Sequence, residues 1–305
     1  ASVWNRNGET IETAIENAFI EYGPLMDKCA AFSDKLYCDA VKAGGVQYAE
    51  MLSLAYRQAI SAHQCVVDTE GQVLFISKEC FSNGCAATVD VSYPSIPLFL
   101  LVCPQLIEGM LNPIFKLVEK GLWEFPFAPH DAGQYPIANY QTYGYAADYL
   151  MQGITAFSKQ MPVEECGNML VMEATVALAT KSTAFANEHM DILEDWVKYL
   201  LQNGRDPENQ LCTDDFAGHL AHNCNLSLKA IMGIEAMAIL CDMLNYKSDA
   251  VKYRRKARKM AKVWMTNALN EDGTSKLAFD KPGTYSMKYN MVWDKLWETK
   301  IFKKS

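Results

Sequence analysis

The chain has 305 residues, 50% of them hydrophobic, which is enough apolar material for one large buried core. Its formal net charge is -8 and it contains no basic block, so nucleic acid is not expected as a partner. No uninterrupted apolar run reaches the ~18 residues that a membrane span needs, so no span is predicted.

Most of the chain repeats apolar residues at the three-to-four spacing that indicates amphipathic helices. In chain order the predicted helices are 11–22, 32–43, 46–64, 95–119, 143–159, 163–181, 185–203, 223–245, 250–270 and 286–297. Two β-like runs, 65–67 and 73–77, flank a polar turn and predict a small hairpin. The stretch 123–140 is rich in aromatic residues, proline and glycine and is predicted to be a long loop.

Two neighbouring helices indicate how the elements are arranged. The segment 165–180 is apolar or small on nearly every side and should be buried, whereas 185–203 carries acidic residues on one face. This alternation of inner and outer helices is typical of helical hairpins stacked into an α/α toroid. No low-complexity linker divides the chain. We therefore predict a mainly α fold, an α/α toroid with a small β-hairpin, in a single domain over residues 1–305.

The 10 cysteines show no dense framework. Local disulfides between Cys29 and Cys38 or between Cys80 and Cys85 are one interpretation, and buried free thiols are the other. Cysteine usage therefore leaves the redox compartment open.

Four loops concentrate polar residues between apolar elements: 78–90, 129–135, 161–168 and 213–223. A toroid gathers alternate connections at one face, so all four loops can line one funnel. Functional residues are commonly carried on loops that a rigid scaffold positions. This face is the predicted location of the site.

Glu164 and Glu165 stand at the start of the helix that is predicted to be buried, just after Pro162. The helix dipole there favours an ionised carboxylate, which suits a general base or a counter-ion for an ammonium group. A general acid fits less well, unless burial raises the pKa more than the dipole lowers it. Helix capping is the alternative for Glu164, but a carboxylate as buried as Glu165 favours function.

The turn 213–223 precedes another helix, where free backbone N–H groups suit a ligand, although a capping Asp-Asp turn is the simpler interpretation. Metal-binding residue types occur around it, but their spacing matches no zinc pattern, so neither a metal nor a cofactor is predicted. These residues are Cys212, His219, His222 and Cys224. The chain also lacks a Gly-x-Ser-x-Gly elbow and a Ser-x-x-Lys pair. Amide cleavage would then need activated water or an unrecognised nucleophile.

Ordered blocks along the chain resemble the glutaminase A family of fungi and gut bacteria. The blocks are SKECFSNG (77–84) with TVDVSYP (88–94), FAPHDAGQYP (127–136), MPVEECGNM (161–169), TDDFAGH (213–219) and LAFDKPGTYSMKYN (277–290). The resemblance implies a six-hairpin (α/α)6-type toroid related to glycoside hydrolases, in a secreted or cell-envelope protein. It further implies an upstream β-rich domain and additional helices after the last block, so that this chain leaves the toroid incomplete.

The first functional hypothesis is hydrolysis of the side-chain amide of glutamine, a small-molecule substrate. Glu165, Asp131 and Asp215 are the predicted catalytic carboxylates, and they are expected to face one cavity. A lysine would meet the substrate α-carboxylate and a carboxylate its α-ammonium. The predicted substrate-binding residues are Asp214, His130, Asn168, His219, Lys288, Glu164, Asp90 and Asn83. The alternatives are an inverting glycoside hydrolase and a non-catalytic glycan-binding module, since one scaffold serves several chemistries.

Overall fold

The computed structural model describes residues 7–79, 83–138 and 160–302. It is 61% helical, with 10 helices and a single two-stranded sheet in the described residues, which confirms the predicted fold class. The helices are α1 (Ile11–Gly44), α2 (Val46–Ser61), α3 (Val89–Val102), α4 (Gln105–Glu119), α5 (Pro162–Thr180), α6 (Ala184–Glu188), α7 (Met190–Asn203), α8 (Cys224–Met243), α9 (Lys247–Asn267) and α10 (Val292–Leu296). A short 3-10 helix, Tyr289–Met291, precedes α10. The predicted helix 143–159 lies outside the described residues.

The predicted hairpin is present as β1 (His63–Val67) and β2 (Val73–Ser77), which pair antiparallel with His63 opposite Ser77. Asp68 closes its turn by accepting the backbone N–H groups of Glu70 and Gln72 at 2.9 and 2.8 Å. This is the local hydrogen bonding that makes aspartate a frequent turn residue.

The predicted breaks between helices are wrong in three places, and the last helix begins at Val292 rather than at residue 286. The predicted helices 11–22 and 32–43 form one helix, α1, which continues through Pro24, because a proline removes a single N–H donor and an exposed helix can tolerate that loss. The predicted helix 95–119 is divided at Cys103, the extended residue before a proline. The predicted helix 185–203 is divided at His189, whose ring stacks on Phe115 with centroids 3.9 Å apart.

Helices α5 and α8 form the centre of the core and pack against each other. Helix α8 is long and apolar enough, by length and composition, to cross a membrane, and the window that passes this test is 100% buried in the protein. Its burial accounts for its apolar composition. Lys229 and Glu235 interrupt the apolar run, which is why the sequence shows no continuous span.

Two glycines allow α5 and α8 to approach closely. A Cβ built on Gly233 would lie 3.1 Å from the Cα of Gly167, and a Cβ on Gly167 would overlap the Cγ of Lys229. Because Gly167 has no side chain, the Lys229 side chain can pass directly over its backbone within the core.

We expect Gly167→Ala to lower the free energy of unfolding by about 1–3 kcal/mol, because the added methyl group overpacks this contact. Urea denaturation measures the change. Gly23→Ala is the matched control, since a Cβ there meets nothing within 4 Å, and helix propensity should leave that variant unchanged or slightly more stable. Equal effects of the two substitutions would contradict the close-packing argument.

The candidate disulfide between Cys29 and Cys38 is wrong, because both thiols are free and exposed. Cys166, Cys212, Cys224 and Cys241 are free and buried, as the alternative interpretation expects. Cys80 lies outside the described residues, so its predicted pairing with Cys85 stays a prediction.

Candidate active site

A cavity of about 560 Å³ opens beside the first turn of α3. Its walls come from three parts of the chain: residues 90–94, the turn 213–217 and the segment 277–289. Asp90 and Asp214 are the carboxylates among the described residues that line it. Two of the predicted polar loops therefore contribute to one cavity, together with a C-terminal segment that carries one of the quoted sequence blocks.

Asp214 forms part of the cavity wall and is held in place by hydrogen bonds. Its side chain is buried and accepts hydrogen bonds from Ser286 Oγ, at 3.0 and 2.8 Å, and from Asn223 Nδ2, at 3.3 Å. Asn223 is also the N-cap of α8 and accepts the Leu226 N–H. The helix start thus fixes the turn that carries Asp214.

Behind Asp90 the protein buries a cluster of polar groups, most of them ionisable, that come from distant parts of the sequence. The cluster consists of Asp90, His130, Asp131, Glu164, Glu165, Asn168 and Lys229, which we call the acidic cluster. Asp90 is the member that also lines the cavity, among the residues that the structure describes. The cluster can therefore affect a bound molecule through the Asp90 carboxylate.

Glu165 is completely buried in the first turn of α5. Its Oε2 accepts a hydrogen bond from Asn168 Nδ2 at 2.9 Å, while Oε1 has no hydrogen-bond partner among the described residues. Burial, followed by the charges of Asp90 and Glu164, raises the pKa of Glu165 well above its ordinary value. Desolvation thus outweighs the helix dipole, and the neutral carboxylic acid is favoured rather than the ionised base.

His130 connects two carboxylates. Its Nδ1 lies 2.9 Å from Asp131 Oδ2, and its Nε2 lies 3.5 Å from Asp90 Oδ1. Burial alone would lower the pKa of His130, but the hydrogen bond to Asp131 and the charges of Asp90 and Asp131 outweigh burial and raise it. The imidazolium form is therefore favoured, and it places a positive charge beside Asp90.

Asp90 has the electrostatic environment of a group that exchanges protons near neutral pH. Its side chain is 11% exposed, and Oδ1 has no hydrogen-bond partner among the described residues. Burial raises the pKa of Asp90 to about 6, an effect that the charge of His130 opposes and that of Glu164 reinforces. A perturbed carboxyl group at the wall of a cavity is a strong candidate for general acid–base chemistry.

Lys229 neutralises part of the acidic cluster, and sequence reasoning missed it. The side chain is fully buried, with Nζ 2.7 Å from Glu164 Oε1 and 2.5 Å from Asn168 Oδ1. Nζ also lies 3.8 Å from the centre of the Tyr93 ring, a cation–π contact. Asn168 joins Lys229 to Glu165, since it accepts from one and donates to the other. The available signal was a lysine in an otherwise apolar helix, because buried lysines are rare unless paired.

The remaining predicted site residues lie apart from this cluster. Asp215 and His219 are exposed in the turn that buries Asp214. Lys288 donates from Nζ to the Ser286 carbonyl at 2.8 Å, and burial lowers its pKa although the charge of Asp214 opposes that effect. Asn83 accepts the Cys85 N–H at 2.8 Å within its own turn.

None of the three predicted catalytic carboxylates lines the cavity. Asp131 is enclosed by His130 and by the Gly133 N–H, which donates to its Oδ1 at 2.8 Å. Glu165 lies behind Asp90, and Asp215 is exposed to solvent. Their catalytic roles stay predictions, and the geometry favours Asp90 for direct contact with a ligand.

One ligand atom each from Asp90, His130 and Glu165 lies within 4.8 Å of the others. Such spacing could hold a metal ion or could share protons. A metal ion there would need ionised carboxylates and a neutral imidazole, so it would compete with protons for the same atoms. The metal-binding residue types around the turn 213–223 do not form such a group. His222 Nδ1 instead lies 2.8 Å from Asp206 Oδ1.

Comparisons with known proteins agree with the resemblance seen in the sequence. The family model described as "Glutaminase A six helical-hairpin domain" matches residues 45–305, which confirms the six-hairpin prediction. "Glutaminase A" of Aspergillus oryzae is 32% identical over 96% of this chain, and a "Probable glutaminase" of Arthroderma benhamiae is 27% identical over 87% of it. The chain spans 41% and 36% of the lengths of these relatives.

Proposed function

The chain belongs to the glutaminase A six helical-hairpin family, and on that premise we propose that it hydrolyses the side-chain amide of glutamine to glutamate and ammonia. The observation that carries this proposal is the position of Asp90. It is the described carboxylate that belongs both to the cavity wall and to the acidic cluster, and burial raises its pKa to about 6. An ionised Asp90 can therefore take a proton from water at neutral pH and return it afterwards.

The reaction needs one group that works first as a base and then as an acid. Asp90 accepts a proton from water while the water oxygen attacks the amide carbon. It then donates that proton to the nitrogen as the C–N bond breaks, and ammonia leaves. His130, positioned by Asp131, places positive charge beside the carboxylate and limits how far its pKa rises. Glu165, in its neutral form, adds no second negative charge next to Asp90.

A glycoside hydrolase is the second candidate, and the aromatic residues Tyr93, Phe216, Tyr285 and Tyr289 in the cavity wall favour it. An inverting glycosidase needs two carboxyl groups about 6.5–9.5 Å apart, to leave room for water. Asp90 and Glu165 have oxygens within 4.8 Å of each other, which is too close for that arrangement. The spacing of this pair therefore does not fit inversion at a sugar.

The test measures ammonia release from L-glutamine by the full-length protein, beside hydrolysis of aryl glycosides. We expect ammonia release and no glycoside turnover. Hydrolysis of glycosides without release of ammonia would contradict the amidase proposal and support the glycoside hydrolase.

The pH dependence tests the role of Asp90. Because the base must be ionised and burial raises its pKa to about 6, kcat/KM for ammonia release should rise with pH through about 6 and level off above it. The measurement is a pH profile from about pH 4.5 to 8, with circular dichroism as a check that the fold persists throughout. An activity that stays flat across this range while the protein remains folded would exclude Asp90 as the base.

A further inference from the structure

The two carboxylates in the cavity wall differ in what balances their charge. Among the described residues that line the cavity, Asp90 and Asp214 are acidic and none is basic. Asp90 faces His130, whose Nε2 lies 3.5 Å from Asp90 Oδ1. Asp90 therefore has a basic side chain beside it, behind the wall, and Asp214 is the carboxylate whose charge needs a physical explanation.

Asp214 is a buried carboxylate that forms no ion pair with any residue in the described part of the chain. Its hydrogen-bond donors, Ser286 Oγ and Asn223 Nδ2, are neutral and orient the carboxylate without balancing its charge. Burial lowers the pKa of Lys288, the charge of Asp214 opposes that effect, and Lys288 Nζ donates to the Ser286 carbonyl at 2.8 Å. Because buried charges in proteins are normally paired, a bound ligand is the expected source of the missing cation.

The turn that carries Asp214 is joined to the acidic cluster that contains Asp90. Thr213 Oγ1 donates to Glu164 Oε1 at 3.0 Å and lies 2.8 Å from the Tyr289 hydroxyl oxygen. The neighbouring Asp214 carboxylate is therefore held in place relative to the group that we propose acts on the amide. A substrate with a positive charge at one end and an amide at the other can be oriented by contacting both carboxylates at once.

Glutamine matches this arrangement. Its α-ammonium group and its side-chain amide lie at opposite ends of a short carbon chain, and a cavity of about 560 Å³ can hold a ligand of that size. The rings of Phe216 and Tyr285 in the same wall also suit a cation, because the face of an aromatic ring carries partial negative charge. An acylated α-nitrogen, as in the interior of a peptide, is uncharged and would leave the Asp214 carboxylate without its cation.

We propose that Asp214 is the counter-ion for the α-ammonium group of the substrate, so that the site acts on glutamine whose α-amino group is free. This proposal rests on the amidase function proposed above. The ammonium group donates hydrogen bonds to the Asp214 carboxylate while Asp90 acts on the side-chain amide. Because the ammonium group lies away from the bond that breaks, the pairing stabilises the bound substrate and the transition state equally, and its loss should change KM rather than kcat.

The first test compares L-glutamine with glutaramate, which keeps the side-chain amide and the carboxylate but has hydrogen in place of the α-ammonium group. In the full-length protein, kcat/KM for ammonia release should be at least about tenfold higher for L-glutamine, because only L-glutamine pairs with Asp214. Equal values, or a preference for glutaramate, would overturn this proposal while the amidase function stands. No ammonia from either compound would contradict both proposals.

The second test removes the carboxylate. Asp214→Asn should raise KM for L-glutamine at least about tenfold and leave kcat within a few-fold, whereas kcat/KM for glutaramate should not fall. Circular dichroism checks that the variant is folded, and the first test, which needs no variant, decides the proposal if it is not.

Asp280→Asn is the matched control, because it removes the same charge from an exposed position outside the cavity wall. Its KM for L-glutamine should stay close to that of the wild type. An equal rise in KM in both variants, or a preference for L-glutamine that survives Asp214→Asn, would show that Asp214 is not the counter-ion of the ammonium group.

Discussion

Replacement of Asp90 by asparagine is expected to reduce kcat for ammonia release by roughly 10²–10⁴-fold, the usual contribution of a positioned acid–base group. Asparagine has nearly the same shape but cannot accept the proton of the attacking water. KM should change little, because the amide keeps most of the contacts of the carboxylate. The pH dependence near 6 that we attribute to Asp90 should also disappear from the residual activity. Steady-state kinetics across the pH range measures both effects.

A measurement of stability distinguishes loss of catalysis from loss of the fold in Asp90→Asn. Folding raises the pKa of Asp90 from 3.8 to about 6, so the charged form is destabilised in the folded state, and its contribution to stability falls as the pH rises through that window. At neutral pH the uncharged asparagine should therefore unfold at the same urea concentration as the wild type or a higher one. A variant that is inactive because it is unfolded would contradict this expectation.

Asp215→Asn distinguishes the sequence prediction from the placement seen in the structure. If Asp215 is a catalytic carboxylate, as the sequence predicts, its replacement by asparagine should reduce activity as much as the replacement of Asp90. As an exposed residue of the turn, it should leave activity within a few-fold. A large loss in Asp215→Asn with none in Asp90→Asn would restore the assignment made from the sequence.

The helical fold could be predicted because its cause is local. Apolar residues at helical spacing indicate each helix, and nearly continuous apolar composition indicates that α5 and α8 are buried. The missed division at His189 depends on distant contacts, whereas the one at Cys103 has a local cause, the proline that follows it. His189 ends a helix where its ring meets Phe115 of α4 and where Nδ1 pairs with Glu119 at 2.7 Å. No pattern within 185–203 contains that information.

The candidate site was predictable in its members but not in its geometry. The polar loops indicated His130, Asp131 and Glu165, and the fold places all three in the acidic cluster. The choice between Asp214 and Asp215 could not be made, because the burial of Asp214 depends on the Ser286 hydroxyl, 72 positions away in the sequence. Adjacent residues of one turn can point in opposite directions, and tertiary packing decides which of them faces the cavity.

Lys229 was missed because a lysine within an apolar helix becomes informative only once its partner is known. Its partner, Glu164, is 65 positions away, and the sequence assigned that carboxylate to helix capping or substrate binding. The structure instead makes the pair an internal support for Asn168 and, through Asn168, for Glu165. Loss of one partner of this buried pair is expected to lower stability.

Lys229→Met should lower the free energy of unfolding by about 3–5 kcal/mol, because it keeps the apolar length of the side chain but leaves the Glu164 carboxylate buried without its cation. Lys198→Met is the matched control. Lys198 pairs with Asp195 at 3.0 Å, close to the 2.7 Å of the buried pair, but those side chains are 56% and 63% exposed whereas the buried pair is 0% and 2% exposed. An exposed ion pair that water screens contributes little to stability, so the control should be nearly neutral. Addition of Glu164→Gln to Lys229→Met should recover most of the loss by removing the unpaired charge. Equal urea midpoints for the two single variants, or no recovery in the double variant, would show that the buried ion pair does not hold the acidic cluster together.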